Sequence, residues 1–171
     1  MLRWAVKEYD GPVAVRYPRG GDGQYQDSDF AENKGIQIHK DGEDIAIITY
    51  GALTNEVLAA AVQLSQKGVN AKIIRLLTLA PLPVDEIAAA LGMCGKVLIV
   101  EEATAGSGIH EALAWELKKR LPDLQTASVD LGSHFVSHGS LKQLYQIYGL
   151  DSESIANTAL EVLDHENQKA P

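Results

Sequence analysis

The chain has 171 residues, 46% of them hydrophobic and 22% charged, a profile that excludes wholesale disorder. Fifteen Lys and Arg against 23 Asp and Glu leave a formal charge of −8, the wrong sign for a duplex-DNA or anionic-membrane surface. Cys94 is the single cysteine, which excludes an intramolecular disulfide or a multi-thiolate zinc site, and no apolar run reaches the roughly 18 residues that span a bilayer. The start, Met1 to Glu8, lacks the order of basic then apolar residues that marks a signal peptide, so a cytoplasmic chain is expected.

In residues 1–20, Leu2, Ala5 and Val6 line one face of a short helix that Asp10-Gly11-Pro12 stops. Val13 to Tyr17 follows as a strand closed by Pro18. A lone helix and strand cannot bury both their faces, so this piece needs a partner and its strand is expected to be loosely held. Residues 21–35 are polar and glycine-rich and read as a linker. From Ile36 the pattern becomes regular. Ile36 to His39 alternates as a short strand turned by Asp41-Gly42, and Ile45 to Tyr50 is a β-branched run suited to a strand covered on both faces. Thr54 is expected to cap a helix to about Gln66, with Val57, Leu58, Ala61 and Leu64 inward and Gly68 past its end. Ala71 to Leu76 is the next strand, and Pro83 starts a helix through about Leu91. Val97 to Glu101 is a strand, Ser107 is expected to cap a helix from Gly108 to Arg120, and Thr126 to Asp130 is the last strand. Two helices close the pattern, Leu141 to Tyr148 ended by Gly149, and Ser152 to Leu163 capped by Asp151. Strands alternating with helices through short connections predict an α/β fold: three α/β/α layers around a mostly parallel five-stranded sheet. The regular unit spans 36–165, with a polar tail at 166–171.

Several constellations invite a chemical reading. Gly21-Asp22-Gly23 resembles the opening of a magnesium-diphosphate motif, but no Asn follows at the required distance on a strand-to-helix turn, and a flexible turn is the better reading. Glu101 to Gly108 joins a strand to a helix N-terminus, a natural anion site, yet Glu111 stands where a dinucleotide fingerprint needs its third glycine. Ser107, Asp130 and His138 occur in the chain order of an α/β-hydrolase triad, which keeps a small hydrolase using Ser107 as a competitor. A nucleophile elbow there would need glycines at positions occupied by Ala105 and Ile109. His134 and His138 are spaced like two metal ligands on one helix face, but Gly132 and Gly139 argue for a loop and structural hydrogen bonds. Tyr17-Pro18-Arg19-Gly20-Gly21 places a guanidinium at a stiffened strand exit beside permissive backbone, suited to a bidentate grip on phosphate or carboxylate.

Four stretches carry a resemblance: Gly11-Pro12-Val13-Ala14-Val15-Arg16-Tyr17-Pro18-Arg19-Gly20, Ile45 to Gly51, Val97 to Glu102, and Leu131 to Gly139 leading to Tyr148-Gly149-Leu150-Asp151. In this order and spacing the chain resembles the C-terminal portion of the 1-deoxy-D-xylulose-5-phosphate synthase family of transketolase-like enzymes. The resemblance implies the end of a pyrimidine-binding domain over residues 1–20 and a transketolase C-terminal domain over 36–165. It further implies a parent, homodimeric, that uses thiamine diphosphate and magnesium to decarboxylate pyruvate and join it to glyceraldehyde 3-phosphate, feeding isoprenoid precursor synthesis. Arg19 matches the family arginine that binds the aldehyde's phosphate; no catalytic, cofactor or metal residue of the family maps onto this chain. The expectation is therefore a fragment, inactive alone and binding neither cofactor nor magnesium, whose partners are the remaining domains of the parent. A separately encoded C-terminal subunit of a split transketolase or of a 2-oxoacid dehydrogenase beta subunit is the alternative. Leu77-Thr78-Leu79-Ala80-Pro81-Leu82-Pro83 departs from the family pattern by lacking its Arg, Lys and Asp, and Leu131-Gly132-Ser133 replaces its Leu-Pro-Asp.

Overall fold

The computed structural model describes residues 2–15 and 35–164. The Tyr17 end of the expected strand, Arg19, and nearly all of the linker lie outside the described residues. The elements in chain order are α1 (Leu2–Lys7), β1 (Ile36–Lys40), β2 (Ile45–Tyr50), α2 (Thr54–Gln66), β3 (Ala71–Leu76), α3 (Val84–Leu91), β4 (Lys96–Val100), α4 (His110–Arg120), β5 (Gln125–Val129), α5 (Leu141–Tyr148) and α6 (Ser152–Asp164). Val13 to Val15 form no strand, against expectation: no neighbouring chain among the described residues offers them a ladder of hydrogen bonds.

The sheet order is β1-β3-β2-β4-β5. β2 pairs in parallel with β3 and β4, β4 in parallel with β5, and β1 antiparallel with β3, so the sheet is mixed at one edge. The β-branched run of β2 and the aliphatic residues of β3 occupy the interior because helices cover both faces. On one face Ile45, Ile47, Ile73, Leu98 and Val100 pack against Val57, Ala60, Ala61 and Leu64 of α2 and Ile155, Ala156 and Ala159 of α6. On the other, Ala46, Ile48, Ile74, Val97 and Ile99 meet Ile87 and Leu91 of α3 and Leu113 and Leu117 of α4. Each large aliphatic side chain in these layers contributes about 1.5–3 kcal/mol by leaving water.

The helix starts differ from expectation in two places. Thr54 is not a cap but the first residue of α2: a 3-10 turn at Gly51–Leu53 precedes it, and its hydroxyl donates to the Gly51 carbonyl at 2.8 Å. α4 begins at His110 without a cap from Ser107. Asp151 does cap α6, accepting from the Ser154 N–H at 3.2 Å, and Gly149 ends α5 at φ +70°. Ser140 and Gln143 form a reciprocal capping box at the start of α5.

Candidate functional site

The chain leaves β2 toward β3 on one side, then returns from β3 past β2 to β4 on the other. Right-handed crossovers in opposite directions place α2 and α3 on opposite faces, so the chain ends of β2 and β4 diverge. Such a switch point at the carboxyl ends of parallel strands is where open α/β sheets place ligands. Tyr50 closes β2 here and Glu101 follows β4.

Glu101 is 1% exposed. Its carboxylate accepts from the Ile109 N–H at 2.8 Å, the His110 N–H at 3.1 Å and the Tyr50 hydroxyl at 3.1 Å, with His110 Nδ1 at 2.7 Å. An ionised carboxylate only accepts, so the proton of this contact sits on Nδ1. Glu101 therefore does for α4 what Ser107 was expected to do, from a strand end instead of the residue next to the helix. The Ser107 hydroxyl turns away and donates to the Thr104 carbonyl at 2.8 Å. The reversal between Glu101 and α4 passes through Gly106 at φ +77°. It then brings Gly108 so close that a Cβ there would overlap the Glu101 carboxylate.

Burial pushes the Glu101 carboxyl up, but the Ile109 and His110 N–H groups, the His110 ring and the Tyr50 hydroxyl outweigh it and leave the group below the usual carboxylate range. The positive end of α4 acts in the same direction. Burial and the neighbouring Glu101 charge push Tyr50 up to about 12. His110 Nδ1 also lies 3.6 Å from Asp130 Oδ2, and Nε2 lies 3.9 Å from Glu111 Oε1. On the other side of the sheet end, the Tyr145 hydroxyl donates to Glu102 at 3.2 Å, and burial followed by the Glu102 charge raises Tyr145. The two consecutive glutamates thus tie β4 to β2 and α4 through one side chain and to α5 through the other.

With four donors around it, the Glu101 carboxylate is engaged in holding the strand ends and is not placed as a general base. The surface these contacts support is the loop 131–140 with α5. The Ser137 N–H donates to the Tyr148 hydroxyl at 3.3 Å, fixing the loop to the helix. Phe135 is fully exposed, and Val136 in the same loop and Leu141 and Ile147 on α5 are exposed as well. A hollow of about 350 Å³ lies along α5 against His138 and Ile147, and another of about 460 Å³ lies between α5 and the start of α6, lined by Glu56, Gln63, Tyr145 and Ser152.

The other sequence candidates do not assemble. Asp130 accepts from the Gly132 N–H at 2.7 Å and faces His110, while His138 lies on the α5 hollow, so Ser107, Asp130 and His138 make no triad. His134 and His138 lie on a non-helical loop, and among the described residues no group of three or more His, Cys, Asp or Glu is placed to hold a metal ion. Among the described residues no helix is long and apolar enough to cross a membrane.

Comparison with known proteins places the arrangement in context. Residues 34–155 match the family model for the transketolase C-terminal domain. The chain is 32% identical over 165 residues to the 1-deoxy-D-xylulose-5-phosphate synthase of Chlorobaculum tepidum, covering 94% of this chain and 26% of that protein. It is 34% identical over 160 residues to the synthase of Halothermothrix orenii, covering 91% of this chain and 25% of that protein. The chain thus spans about a quarter of the length of these relatives. A solved structure described as a split gene transketolase, inactive beta4 tetramer, superposes with a TM-score of 0.73 at 23% identity, over 84% of this chain and 47% of that one.

Proposed function

The chain belongs to the transketolase C-terminal domain family, and from that premise we propose that it serves as the C-terminal domain of a 1-deoxy-D-xylulose-5-phosphate synthase. In this reading it packs against thiamine-binding domains and supports their assembly as a homodimer. In the parent reaction pyruvate loses its carboxyl group as carbon dioxide, and its remaining two-carbon unit joins the aldehyde carbon of glyceraldehyde 3-phosphate. Thiamine diphosphate supplies the electron sink for that chemistry when bound. No step of the reaction is assigned to the described residues.

The observation that carries the reading is the exposed apolar surface of the 131–140 loop and α5, headed by a fully exposed Phe135. An apolar surface held in place by a capping box and the Ser137–Tyr148 bond suits a partner surface that completes it. Arg19 is proposed to grip the phosphate of glyceraldehyde 3-phosphate, since a guanidinium forks onto phosphate oxygens. A separately encoded C-terminal subunit would present the same surface to its catalytic partner.

The test is a chimera in which this chain replaces the matching quarter of the Chlorobaculum tepidum synthase. Formation of 1-deoxy-D-xylulose 5-phosphate by the chimera, lost on Phe135→Asp with Ile147→Asp, is the expected result. A folded chimera whose turnover ignores both substitutions would contradict the docking role.

A further inference from the structure

We infer that the outer edge of β5 is a pairing surface for a second copy of this chain, which would join two five-stranded sheets into one across a two-fold axis. The inference goes beyond the enzymatic reading and does not depend on it, because it follows from the edge strand alone.

The bonds at the two ends of β5 fix which of its backbone groups face outward. The Gln125 N–H donates to the Gly95 carbonyl at 3.0 Å, and the Glu101 N–H donates to the Val129 carbonyl at 3.0 Å. With the parallel register Lys96 to Gln125 through Val100 to Val129, residues 125, 127 and 129 direct their backbone groups at β4. Thr126 and Ser128 therefore turn their N–H and C=O groups away from the sheet, and no strand among the described residues pairs with them.

The two edges of the sheet are protected unequally. β1 is interrupted by a register shift between Ile38 and Lys40 and carries a lysine at its end, both devices that discourage edge pairing. β5, Gln-Thr-Ala-Ser-Val, has no charge, no proline and no register shift. On a chain of formal charge −8, an uncharged edge is where a second copy approaches at least electrostatic cost.

The strand is also self-complementary. In an antiparallel pair centred on Ala127, Thr126 of one copy stands opposite Ser128 of the other, and the outward backbone groups of both residues find partners in the hydrogen-bonded sites of the ladder. The Thr and Ser side chains, on the α4 face of the sheet, meet across the join as a hydroxyl pair. At the ends, Asp130 of one copy faces Leu124 of the other and Asp123 faces Leu131, so no two carboxylates oppose each other. A pairing edge of five residues makes a small interface of the weak, reversible class, and a dissociation constant of ~10–100 μM is expected.

The test is sedimentation equilibrium of the 171-residue chain up to ~300 μM, above the expected dissociation constant, together with hydrogen exchange of individual amides. A reversible dimer is expected, with exchange at Thr126 and Ser128 slowing as concentration rises. Ser128→Pro removes an outward N–H without touching the bonds to β4 and is expected to weaken association at least about tenfold, while Ser128→Ala, which keeps that N–H and loses only the hydroxyl pair, is expected to weaken it less than Ser128→Pro. If Ser128→Pro fails to fold by circular dichroism, the concentration dependence of the two wild-type amides decides. A chain monomeric throughout the range would overturn the inference. So would a dimer that Ile147→Asp dissociates while Thr126 and Ser128 exchange freely.

Discussion

The Tyr50 hydroxyl donates to the Glu101 carboxylate at 3.1 Å, bridging the ends of two central strands whose chains depart to opposite faces of the sheet. One buried anion there holds β2, β4 and the first turn of α4 in register. The chemistry of this sheet end is spent on positioning the elements that carry the exposed surface.

Replacing Glu101 by Gln keeps its shape but removes its charge and turns an amide NH₂ toward groups that are themselves donors. Chemical denaturation is expected to show a loss of about 2–3 kcal/mol, the scale of hydrogen bonds to a charged group plus a donor left unsatisfied. A loss below about 0.5 kcal/mol would mean that the carboxylate is not the organising group of α4.

The same residue sets an acid dependence. The folded Glu101 carboxyl lies below its ordinary value of 4.5, so the unfolded chain binds the proton more readily. Its stabilisation is fully present above pH 4.5 and is lost as the pH falls through the lower folded value. Urea midpoints measured downward from neutrality are expected to drop across that window, and Glu101→Gln is expected to flatten the drop. An unchanged slope in the variant would remove Glu101 from the acid transition.

Gly108 is required by close approach alone. Alanine there would collide with the Glu101 carboxylate, and overpacking of this kind costs about 1–3 kcal/mol. The informative measurement is the double variant: Gly108→Ala is expected to cost much less on a Glu101→Ala background, a non-additivity that contacting residues show. Additive losses would place the strain elsewhere.

For Arg19 the expected signature is kinetic. In the synthase chimera, Arg19→Ala is expected to raise KM for glyceraldehyde 3-phosphate by roughly 10–100-fold, the equivalent of about 1.5–3 kcal/mol in charge-assisted hydrogen bonds. KM for pyruvate, which carries no phosphate, is expected to stay within about twofold. Equal effects on both substrates would argue for a structural role.

Much of the fold is legible in the sequence because its signals are local. The β-branched run at Ile45–Tyr50 and the Ile73-Ile74 pair within Ala71–Leu76 mark strands, and Gly149 and Asp151 mark where α5 stops and α6 starts. The direction of the edge strand is settled by tertiary pairing, and the parallel pattern of its neighbours carries no sign of it. The Val13–Val15 segment shows the converse: its composition is that of a strand, but a strand exists only with a partner. The organising site was hidden for a related reason. Sequence rules look for a helix cap beside the helix, where Ser107 stands, whereas the groups capped by Glu101 lie eight and nine residues along the chain. A glycine immediately before the first turn, Gly108, was the one visible trace of that carboxylate.

The most direct test of the account is turnover by the purified 171-residue chain supplied with pyruvate, glyceraldehyde 3-phosphate, thiamine diphosphate and magnesium. No carbon dioxide release and no 1-deoxy-D-xylulose 5-phosphate above the protein-free control are expected. Sustained product formation by the chain alone, abolished when thiamine diphosphate is omitted, would contradict it.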